Sequence, residues 1–455
     1  MTSLTVPDVG SIQDALGDLP RFLEGPPHVY TLCGPRYEAA PKHERGVPRR
    51  RKLRLYVHVP FCRYKCSFCS YAVLAAPGGP DHDAMRRYLD AVRRELASIA
   101  PRTHLSGLFI GGGTPTALPP ELLDELLQTV FAYLETGGDG VHTCESSPDT
   151  VTAAHAEAMR RHGIDRVSIG VQSLQERVLD AIARRHSARQ ALEAIRMLVG
   201  MGLVVNVDLI YGLPGQREDD FRRDVLRAAE LGVHGLTLYA LRLSERSAIG
   251  GTLARDERMD LAHLVRWRGV AHAAAAEAGF VQTRWHSFER AAGASATHRR
   301  LPSFGEGNNV FQLGVGNSAR SHLGARIYRN ARSPQAYARR VAAGESPVDQ
   351  VFELDQEDRR TLYLVRAIGD RAIDRVDYRR AFGRSFDADY GERVERLSAA
   401  DLVAEAGRSI VLTEAGKLVD DRIALAFYPK RALDALHAEG ARIEAQTHAP
   451  AATEA

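Results

Sequence analysis

Hydrophobic and polar positions alternate in two rhythms along residues 53–288 of the 455-residue chain. Short runs rich in Val, Ile and Leu, typical of buried strands, are each followed by a longer stretch with helical apolar spacing. The predicted strands are 53–59, 108–110, 140–144, 166–171, 204–210, 235–240 and 281–287, and the predicted helices are 83–99, 120–134, 153–162, 174–183, 188–201, 218–231 and 256–278. Alternation of this kind predicts parallel βαβ units. The expected fold class is therefore α/β, a partial or full (β/α) barrel of parallel strands.

The remaining segments predict smaller units around this barrel. Residues 1–50 form an N-terminal arm with a short helix near 11–16, and the barrel domain covers 51–350, with a strand, a glycine-rich turn and another strand near 311–330. Residues 351–435 predict a small helical, winged-helix-like domain, with helices at 355–367, 374–382 and 393–399 and a strand at 409–413. The Ala-, Glu- and His-rich tail, 436–455, is expected to be disordered.

Charge and hydropathy exclude several classes of partner. The net charge is +3 with both signs interspersed, so we expect no nucleic-acid partner, and the winged-helix-like domain carries no basic excess. No apolar run has the length needed to cross a bilayer, and the first twenty residues lack the pattern of a secretory signal. With only five cysteines, the chain is expected to be cytoplasmic, without a membrane partner.

Three of the five cysteines lie within eight residues, directly after the first predicted strand. Cys62, Cys66 and Cys69 form a C-x3-C-x2-C run. A disulfide framework is disfavoured because the cysteine count is odd and most of the chain has none. Three thiolates from one loop favour an iron–sulfur cluster with one iron left open. A zinc site with His58 as fourth ligand, or no metal at all, remains an alternative.

A second group of candidates stands at the ends of the predicted strands. Residues 111–116 read GGGTPT, and three glycines there permit close backbone approach to a ligand, although a simple tight turn explains them as well. Polar residues follow at other strand ends or in the loops after them: Glu145, Gln172, Arg184 and Asp208. Each alone is more often structural. Together they suit a nucleoside that carries an amino acid, since carboxylates bind ammonium or hydroxyl groups and arginine binds carboxylate.

These motifs together resemble a known family. YVHVPFCRYKCSFC, GGGTPT, SIGVQSL followed by ARRH, and NVDLIYGLPGQ are similar to radical S-adenosylmethionine enzymes, specifically the HemN-like branch that includes oxygen-independent coproporphyrinogen oxidases. The resemblance covers roughly residues 53–325, and residues beyond it are similar to that family's helical C-terminal domain.

The resemblance implies a cofactor set and a residue assignment. Cys62, Cys66 and Cys69 would ligate a 4Fe–4S cluster, whose open iron chelates S-adenosylmethionine and yields a 5′-deoxyadenosyl radical. The other implied contacts are Tyr56 beside the cluster, Phe68 near the adenine, Gly112 and Gly113 on the methionine, Glu145 on its ammonium, Arg184 on its carboxylate, and Gln172 and Asp208 on the nucleoside. A small-molecule substrate and an electron donor such as flavodoxin or ferredoxin are expected partners.

Some HemN-like enzymes bind a second S-adenosylmethionine. Phe311 and Gln312 resemble a segment that lines that second site, and Thr114 would border it. The resemblance therefore extends to two molecules of S-adenosylmethionine.

Departures from the family pattern determine the expected reaction. Coproporphyrinogen oxidases carry a further cysteine where this chain has Tyr71, and residues 297–302 do not match the HN-x-x-YW motif of the heme-chaperone group. The leading hypothesis is therefore transfer of a C1 unit to an sp2 carbon of a natural-product-type substrate, by methylation or cyclopropanation. The alternatives are oxidative decarboxylation of a porphyrinogen and heme binding. No general base is assigned.

Overall fold

The computed structural model describes residues 9–17, 38–39, 53–76, 81–98, 104–133, 135–242, 247–251, 260–291 and 311–446. In chain order the strands are β1 (Glu38–Ala39), β2 (Leu53–Val59), β3 (Phe61–Cys62), β4 (Leu74–Ala75), β5 (His104–Gly112), β6 (Glu135–Ser146), β7 (Arg166–Gln172), β8 (Val204–Tyr211), β9 (Gly235–Ala240), β10 (Phe280–Arg284), β11 (Ser287–Arg290), β12 (Phe311–Val315), β13 (Arg320–Leu323), β14 (Arg326–Asn330), β15 (Val348–Glu353), β16 (Ala372–Asp374), β17 (Val403–Ala406) and β18 (Ser409–Leu412).

Helices connect these strands. The α-helices are Val9–Leu16, His82–Ser98, Pro120–Tyr133, Ala153–Arg161, Glu176–Ala181, Ala188–Gly200, Glu218–Glu230, Leu261–Glu277, Pro334–Ala342, Gln356–Gly369, Arg375–Phe382, Phe386–Ala399, Glu414–Lys417, Asp420–Ala426 and Lys430–Gln446, and the 3₁₀ helices are Pro115–Ala117 and Ala248–Gly251. Several begin at side-chain caps. Ser187 Oγ accepts the N–H of Gln190 at 3.1 Å, and Asp355 Oδ1 accepts that of Asp358 at 2.8 Å. Such caps satisfy helix N–H groups that have no partner within the helix.

One large sheet forms the centre of the molecule. Its parallel part runs in the order β12, β2, β5, β6, β7, β8, β9. Antiparallel strands β13, β14, β15 and β1 extend one edge, and β11 and β10 extend the other. No pairing among the described strands joins the two edges, so the architecture is a partial barrel with surrounding helices. The predicted fold class is confirmed.

Alternate side chains of the parallel strands pack against the helices or line an internal cavity. On β2, Leu55 and Val57 are buried in the core shared with the helices, whereas Arg54 lines an internal cavity. Successive strand side chains point to opposite faces, so alternate positions of the neighbouring strands also face this interior, here called the lumen. The carboxyl ends of the parallel strands form its mouth.

Two local predictions need correction. The predicted strand 281–287 is a hairpin, in which β10 and β11 pair antiparallel from Phe280 opposite Arg290. The chain reverses at Trp285, whose φ of 23° is incompatible with an extended strand. The segment near 311–330 contains three strands, β12 to β14, where two were expected, because the chain turns twice.

The C-terminal part has its own hydrophobic core. Strands β16, β18 and β17 form an antiparallel sheet among the last helices, in agreement with the predicted helical, winged-helix-like domain. The helix predicted in the N-terminal arm is Val9–Leu16, and its Ile12 side chain packs into this second core. The expected disorder from 436 is wrong for the first residues, because helix Lys430–Gln446 continues through them and Leu436 is buried.

A buried ionic network joins this domain to the barrel. Arg268, 3% exposed, donates from Nη1 to the Leu418 carbonyl at 2.8 Å and to Asp421 Oδ1 at 2.9 Å. Arg242, which follows β9 at the mouth, pairs with Asp421 at 2.5 Å. Burial opposes the charge on Asp421, but Arg268 and Arg242 outweigh it and hold the pKa of Asp421 well below its usual range.

None of the described helices is both long and apolar enough to cross a membrane.

Candidate active site

The three cysteines surround a loop at the mouth of the barrel. Cys62 lies in β3, just after β2, and all three thiols are half-buried and free of disulfides. Cys62 Sγ lies 3.5 Å from Thr114 Oγ1, and Arg184 Nη1 donates to Cys66 Sγ at 3.3 Å. The Cys69 N–H donates to the Cys66 carbonyl at 3.1 Å, which closes the loop.

The donor set of this loop fits an iron–sulfur cluster. Within the described residues, no three Cys, His or acidic side chains are placed to enclose one metal ion, and ligands of a cluster are spaced more widely than those of one zinc ion. His58 is not placed with these cysteines to hold one metal ion among the described residues, and its ring packs against Gly112. Burial raises the pKa of Cys62 to about 12, and coordination to a metal centre favours its thiolate form.

The glycine turn at 111–113 packs directly on the cysteine loop. The Gly113 N–H donates to the Val59 carbonyl at 2.8 Å, and a Cβ on Gly113 would lie 2.7 Å from the Phe61 carbonyl oxygen. Gly112 has φ of 111°, and a Cβ there would lie 2.4 Å from the His58 ring. Close backbone packing therefore requires glycine at both positions, whether or not a ligand is bound.

Two half-buried carboxyl groups lie in the lumen near the mouth. Glu145 on β6 accepts the Gly112 N–H at 2.9 Å, and burial raises its pKa to about 7. Asp208 on β8 accepts the Ser168 hydroxyl at 3.0 Å and the Asn206 amide at 2.8 Å. Burial raises the pKa of Asp208 to about 6. Both carboxyl groups gain stabilisation as anions if a cation enters the mouth.

Gln172 and Arg184 also lie at the mouth, close to each other. Gln172 ends β7 with φ of 70°, and a Cβ on Gly170 would lie 2.8 Å from Gln172 Nε2 and 3.3 Å from Arg184 Nη2. Arg184 Nη2 donates to the Gly170 carbonyl, in addition to the Nη1 contact with Cys66. The buried Nε has no hydrogen-bond partner among the described residues. Arg184 thus contacts the cluster loop in this structure, and its expected contact with the methionine carboxylate remains a prediction.

The remaining predicted cofactor-binding residues lie in two different parts of the barrel. Tyr56 faces the lumen and stacks on Phe109, with ring centroids 6.1 Å apart, and Phe68 packs against an apolar cluster that includes Ile210. Gln312 pairs with Arg54 at the opposite end of β2 from the mouth and donates to the Arg320 carbonyl at 3.2 Å.

The structure does not bring the expected second cofactor segment to the mouth. Gly112 pairs with Val59, and five residues at about 3.3 Å each separate that position from Arg54, which is roughly 16 Å. Phe311, next to Gln312, pairs with Leu53 and lies at the same far end. Strand register therefore separates Phe311 and Gln312 from Thr114, and a short sequence match cannot reveal register.

Three lumen residues were not assigned a role from the sequence. Arg166 and Tyr239 line a cavity of about 290 Å³ inside the barrel. Tyr71, which follows the cysteine loop, is 65% exposed and Tyr239 is 41% exposed. Desolvation raises the pKa of Tyr71 to about 12, and the Glu145 carboxylate adds to the effect. Strand alternation marks Arg166 and Tyr239 as lumen residues once the barrel register is known.

Comparisons with known proteins identify the family. The Radical SAM superfamily profile matches residues 56–228. The heme chaperone HemW of Mycobacterium tuberculosis is 30% identical over 385 residues, which cover 81% of this chain and 93% of that protein. The oxygen-independent coproporphyrinogen III oxidase of Bradyrhizobium diazoefficiens is 28% identical over 345 residues, 71% of this chain and 74% of that protein.

A solved structure agrees at the level of fold. Coproporphyrinogen III oxidase (HemN) from Escherichia coli superposes with a TM-score of 0.73 over 88% of this chain and 92% of that chain, at 22% identity. The chain therefore belongs to the radical S-adenosylmethionine superfamily, and within it to the HemN-like family. Its cofactors are accordingly a 4Fe–4S cluster and S-adenosylmethionine, as the family resemblance implied.

Proposed function

We propose that this radical S-adenosylmethionine enzyme acts as a heme-binding protein of the HemW type. The similarity to HemW carries this proposal, because it extends over 93% of that protein and so includes both domains rather than the cofactor-binding part alone. Tyr71 supports heme rather than coproporphyrinogen as the ligand, because coproporphyrinogen oxidases carry a cysteine at the position where this chain has Tyr71.

The mouth of the barrel offers surfaces that suit a planar macrocycle. Tyr71 and Tyr239 expose much of their surface there and lie near enough to influence each other electrostatically. Aromatic rings stack on flat conjugated ligands with favourable offset geometry. A tyrosine oxygen is also one of the protein ligands that heme iron accepts. Both tyrosines therefore support a tetrapyrrole at the mouth, beside the cysteine loop.

The residues of the mouth have separate tasks in this proposal. Cys62, Cys66 and Cys69 hold the cluster, which supplies one-electron reductive cleavage of S-adenosylmethionine when both are bound. The Glu145 carboxylate accepts hydrogen bonds from the ammonium group of the methionine moiety. The Gly112 N–H donates to Glu145 and holds its carboxylate in place. Asp208, held by Ser168 and Asn206, accepts the ribose hydroxyls. Arg184 donates to Cys66 and restrains the loop.

Transfer of a C1 unit is the second candidate. The relatives described above are named heme chaperones and coproporphyrinogen oxidases, so they favour the alternatives over the leading hypothesis from sequence. Two observations keep C1 transfer as a candidate: Tyr71 in place of the further cysteine, and a stretch at 297–302, outside the described residues, that lacks the heme motif. The separation of Gln312 from Thr114 removes part of its original support.

An acidic one-electron carrier such as flavodoxin or ferredoxin completes the proposal. Arg63, Lys65 and Arg185 are exposed on the outer side of the cysteine loop. The Arg185 guanidinium lies 5.3 Å from the centre of the Tyr64 ring, so the two loops present one basic surface. Complementary charge steers an acidic protein to this surface and brings its redox centre close to the cluster.

Hemin titration of anaerobically reconstituted protein tests the proposed function. We expect a saturable Soret band with wild type, a weaker one with Tyr71→Leu, and retention with Tyr71→Phe if stacking dominates. Parallel assays measure carbon dioxide from coproporphyrinogen III and S-adenosylhomocysteine formed together with 5′-deoxyadenosine. Absence of a Soret change together with decarboxylation would establish the oxidase function instead. Substrate-dependent S-adenosylhomocysteine without hemin binding would establish C1 transfer.

A further inference from the structure

Strand β7 ends in a strained turn that directs the side chain of Gln172. Between Gly170 and Gln172 the register shifts, so that two residues of β7 match one residue of β8. The Ser173 N–H donates to the Val171 carbonyl at 2.9 Å, around a Gln172 φ of 70°. A three-residue turn with a positive central φ is rare and strained, and bulges next to binding sites redirect a side chain. Such a conformation persists only where the surrounding structure holds it in place.

A buried carboxylate on a neighbouring helix holds the loop that follows this turn. Asp224 lies on helix Glu218–Glu230 and is fully buried. Its Oδ2 accepts the Ser173 hydroxyl at 2.7 Å and the Leu174 N–H at 2.9 Å. Its Oδ1 accepts the side-chain amide of Gln175 at 2.7 Å. The two oxygens of one carboxylate thus hold three consecutive residues, which form the whole loop between β7 and the next helix.

Asp224 acts from the helix-covered side of the sheet. Phe221 and Val225 on the same helix pack in the core, and Asp224 is not among the residues that line the lumen. Burial raises the pKa of Asp224, and the hydrogen bonds from the loop oppose that shift. A buried carboxylate is unfavourable unless its hydrogen bonds are made, so the carboxylate and the loop fix each other. The conformation at Gln172 therefore depends on a residue outside the cofactor site.

We propose that Asp224 is a positioning residue for S-adenosylmethionine, because it holds the loop 173–175 so that Gln172 presents its amide to the nucleoside. Gly170 lies on the same face of β7 as Ser168, which lines the lumen. Gln172 Nε2 lies on this face, 2.8 Å from the position of a Cβ on Gly170. Without the anchor, the turn relaxes to an extended strand end and the amide leaves this position. The inference rests on the nucleoside contact predicted for Gln172 and not on heme binding.

The test is a double-variant cycle on anaerobically reconstituted protein. Equilibrium dialysis measures the Kd for S-adenosylmethionine in the wild type, Gln172→Ala, Asp224→Ala and the double variant. Asp224→Asn is the conservative variant, because its oxygen accepts from the loop hydroxyl and N–H while the Gln175 amide turns over to accept from its NH2 group. Asp219→Asn, at an exposed position on the same helix, is the matched control for loss of a negative charge. Circular dichroism, iron and sulfide content confirm that each variant is folded and loaded.

We expect Gln172→Ala and Asp224→Ala each to raise the Kd about tenfold, as loss of a polar contact implies. Asp224→Asn should stay within about threefold of wild type, and Asp219→Asn should be unchanged. The double variant should bind no more weakly than Gln172→Ala, because Asp224 acts through Gln172. An unchanged Kd in Asp224→Ala, or a double-variant increase equal to the product of the single increases, would overturn the positioning role. An unchanged Kd in Gln172→Ala would overturn the nucleoside contact and the positioning role with it.

Ser173→Ala decides the question if Asp224→Ala loses its fold or its cluster. This variant removes one of the three contacts and leaves the carboxylate bonded to Leu174 and Gln175. Its Kd should rise about threefold, and combination with Gln172→Ala should add nothing further. An unchanged Kd in Ser173→Ala would in that case overturn the proposal.

Discussion

Substitution of Gly112 by alanine tests whether the glycine turn fixes the cysteine loop. Two penalties follow from the structure. The backbone at Gly112 has φ of 111°, where an L-residue is strained by about 1–3 kcal/mol. The new Cβ would also lie 2.4 Å from the His58 ring, and overpacking in a tight core costs about 1–3 kcal/mol. We expect a total loss of roughly 2–6 kcal/mol in the stability of the turn.

Gly163→Ala is a matched control for the first penalty alone. Gly163 has φ of 81°, and nothing lies within 4 Å of a Cβ at that position. Its cost should therefore be strain without a clash. The double variant Gly112→Ala with His58→Ala removes the clash partner, and we expect it to recover about 1–3 kcal/mol relative to the sum of the single variants.

The assay has two readouts on each variant: urea unfolding followed by circular dichroism, and iron and sulfide content after anaerobic reconstitution. Gly112→Ala should lose both stability and cluster, because the turn it displaces carries Thr114 and packs against Phe61 and Cys62. Gly163→Ala should lose a little stability and keep its cluster. The reasoning is refuted if Gly112→Ala retains a full cluster, or if His58→Ala recovers nothing in the double variant.

Three further predictions concern charge. Asp421→Asn should lower the free energy of unfolding by about 3–5 kcal/mol in urea titrations, because it removes the anion that Arg268 and Arg242 share and leaves Asp420 as the carboxylate beside Arg268. The exposed Asp434→Asn should cost less than about 1 kcal/mol. Cofactor binding should depend on pH, because burial raises the pKa of Glu145 to about 7 and its anionic fraction therefore rises from pH 6 to 8. The Kd for S-adenosylmethionine, measured by equilibrium dialysis, should fall over that range. Glu145→Gln should make the Kd independent of pH over the same range. Lys65→Glu should slow cluster reduction by reduced flavodoxin about tenfold at low salt and leave dithionite reduction unchanged; equal slowing by both reductants would count against a docking surface.

Local sequence determined much of this protein. The alternation of strands and helices predicted the parallel α/β fold, because each short apolar run must be buried and each amphipathic helix must cover it. The cysteine spacing and the strand-end motifs predicted the family and its cofactors, since thiolates within one loop need no tertiary information to reach one cluster. Glu145 and Asp208 were placed near the mouth because carboxyl ends of parallel strands meet at one edge of a sheet.

Tertiary structure decided the features that depend on register and on contacts distant in sequence. Gln312 carries a motif-like match, but its pairing with Arg54 places it at the far end of the barrel. A single φ at Trp285 turns one predicted strand into a hairpin. Arg166 lies on an ordinary strand in the sequence, and only the curvature of the sheet brings it to the same cavity as Asp208. These outcomes follow from which strands pair and at which residue, a choice made by the packing of the whole chain.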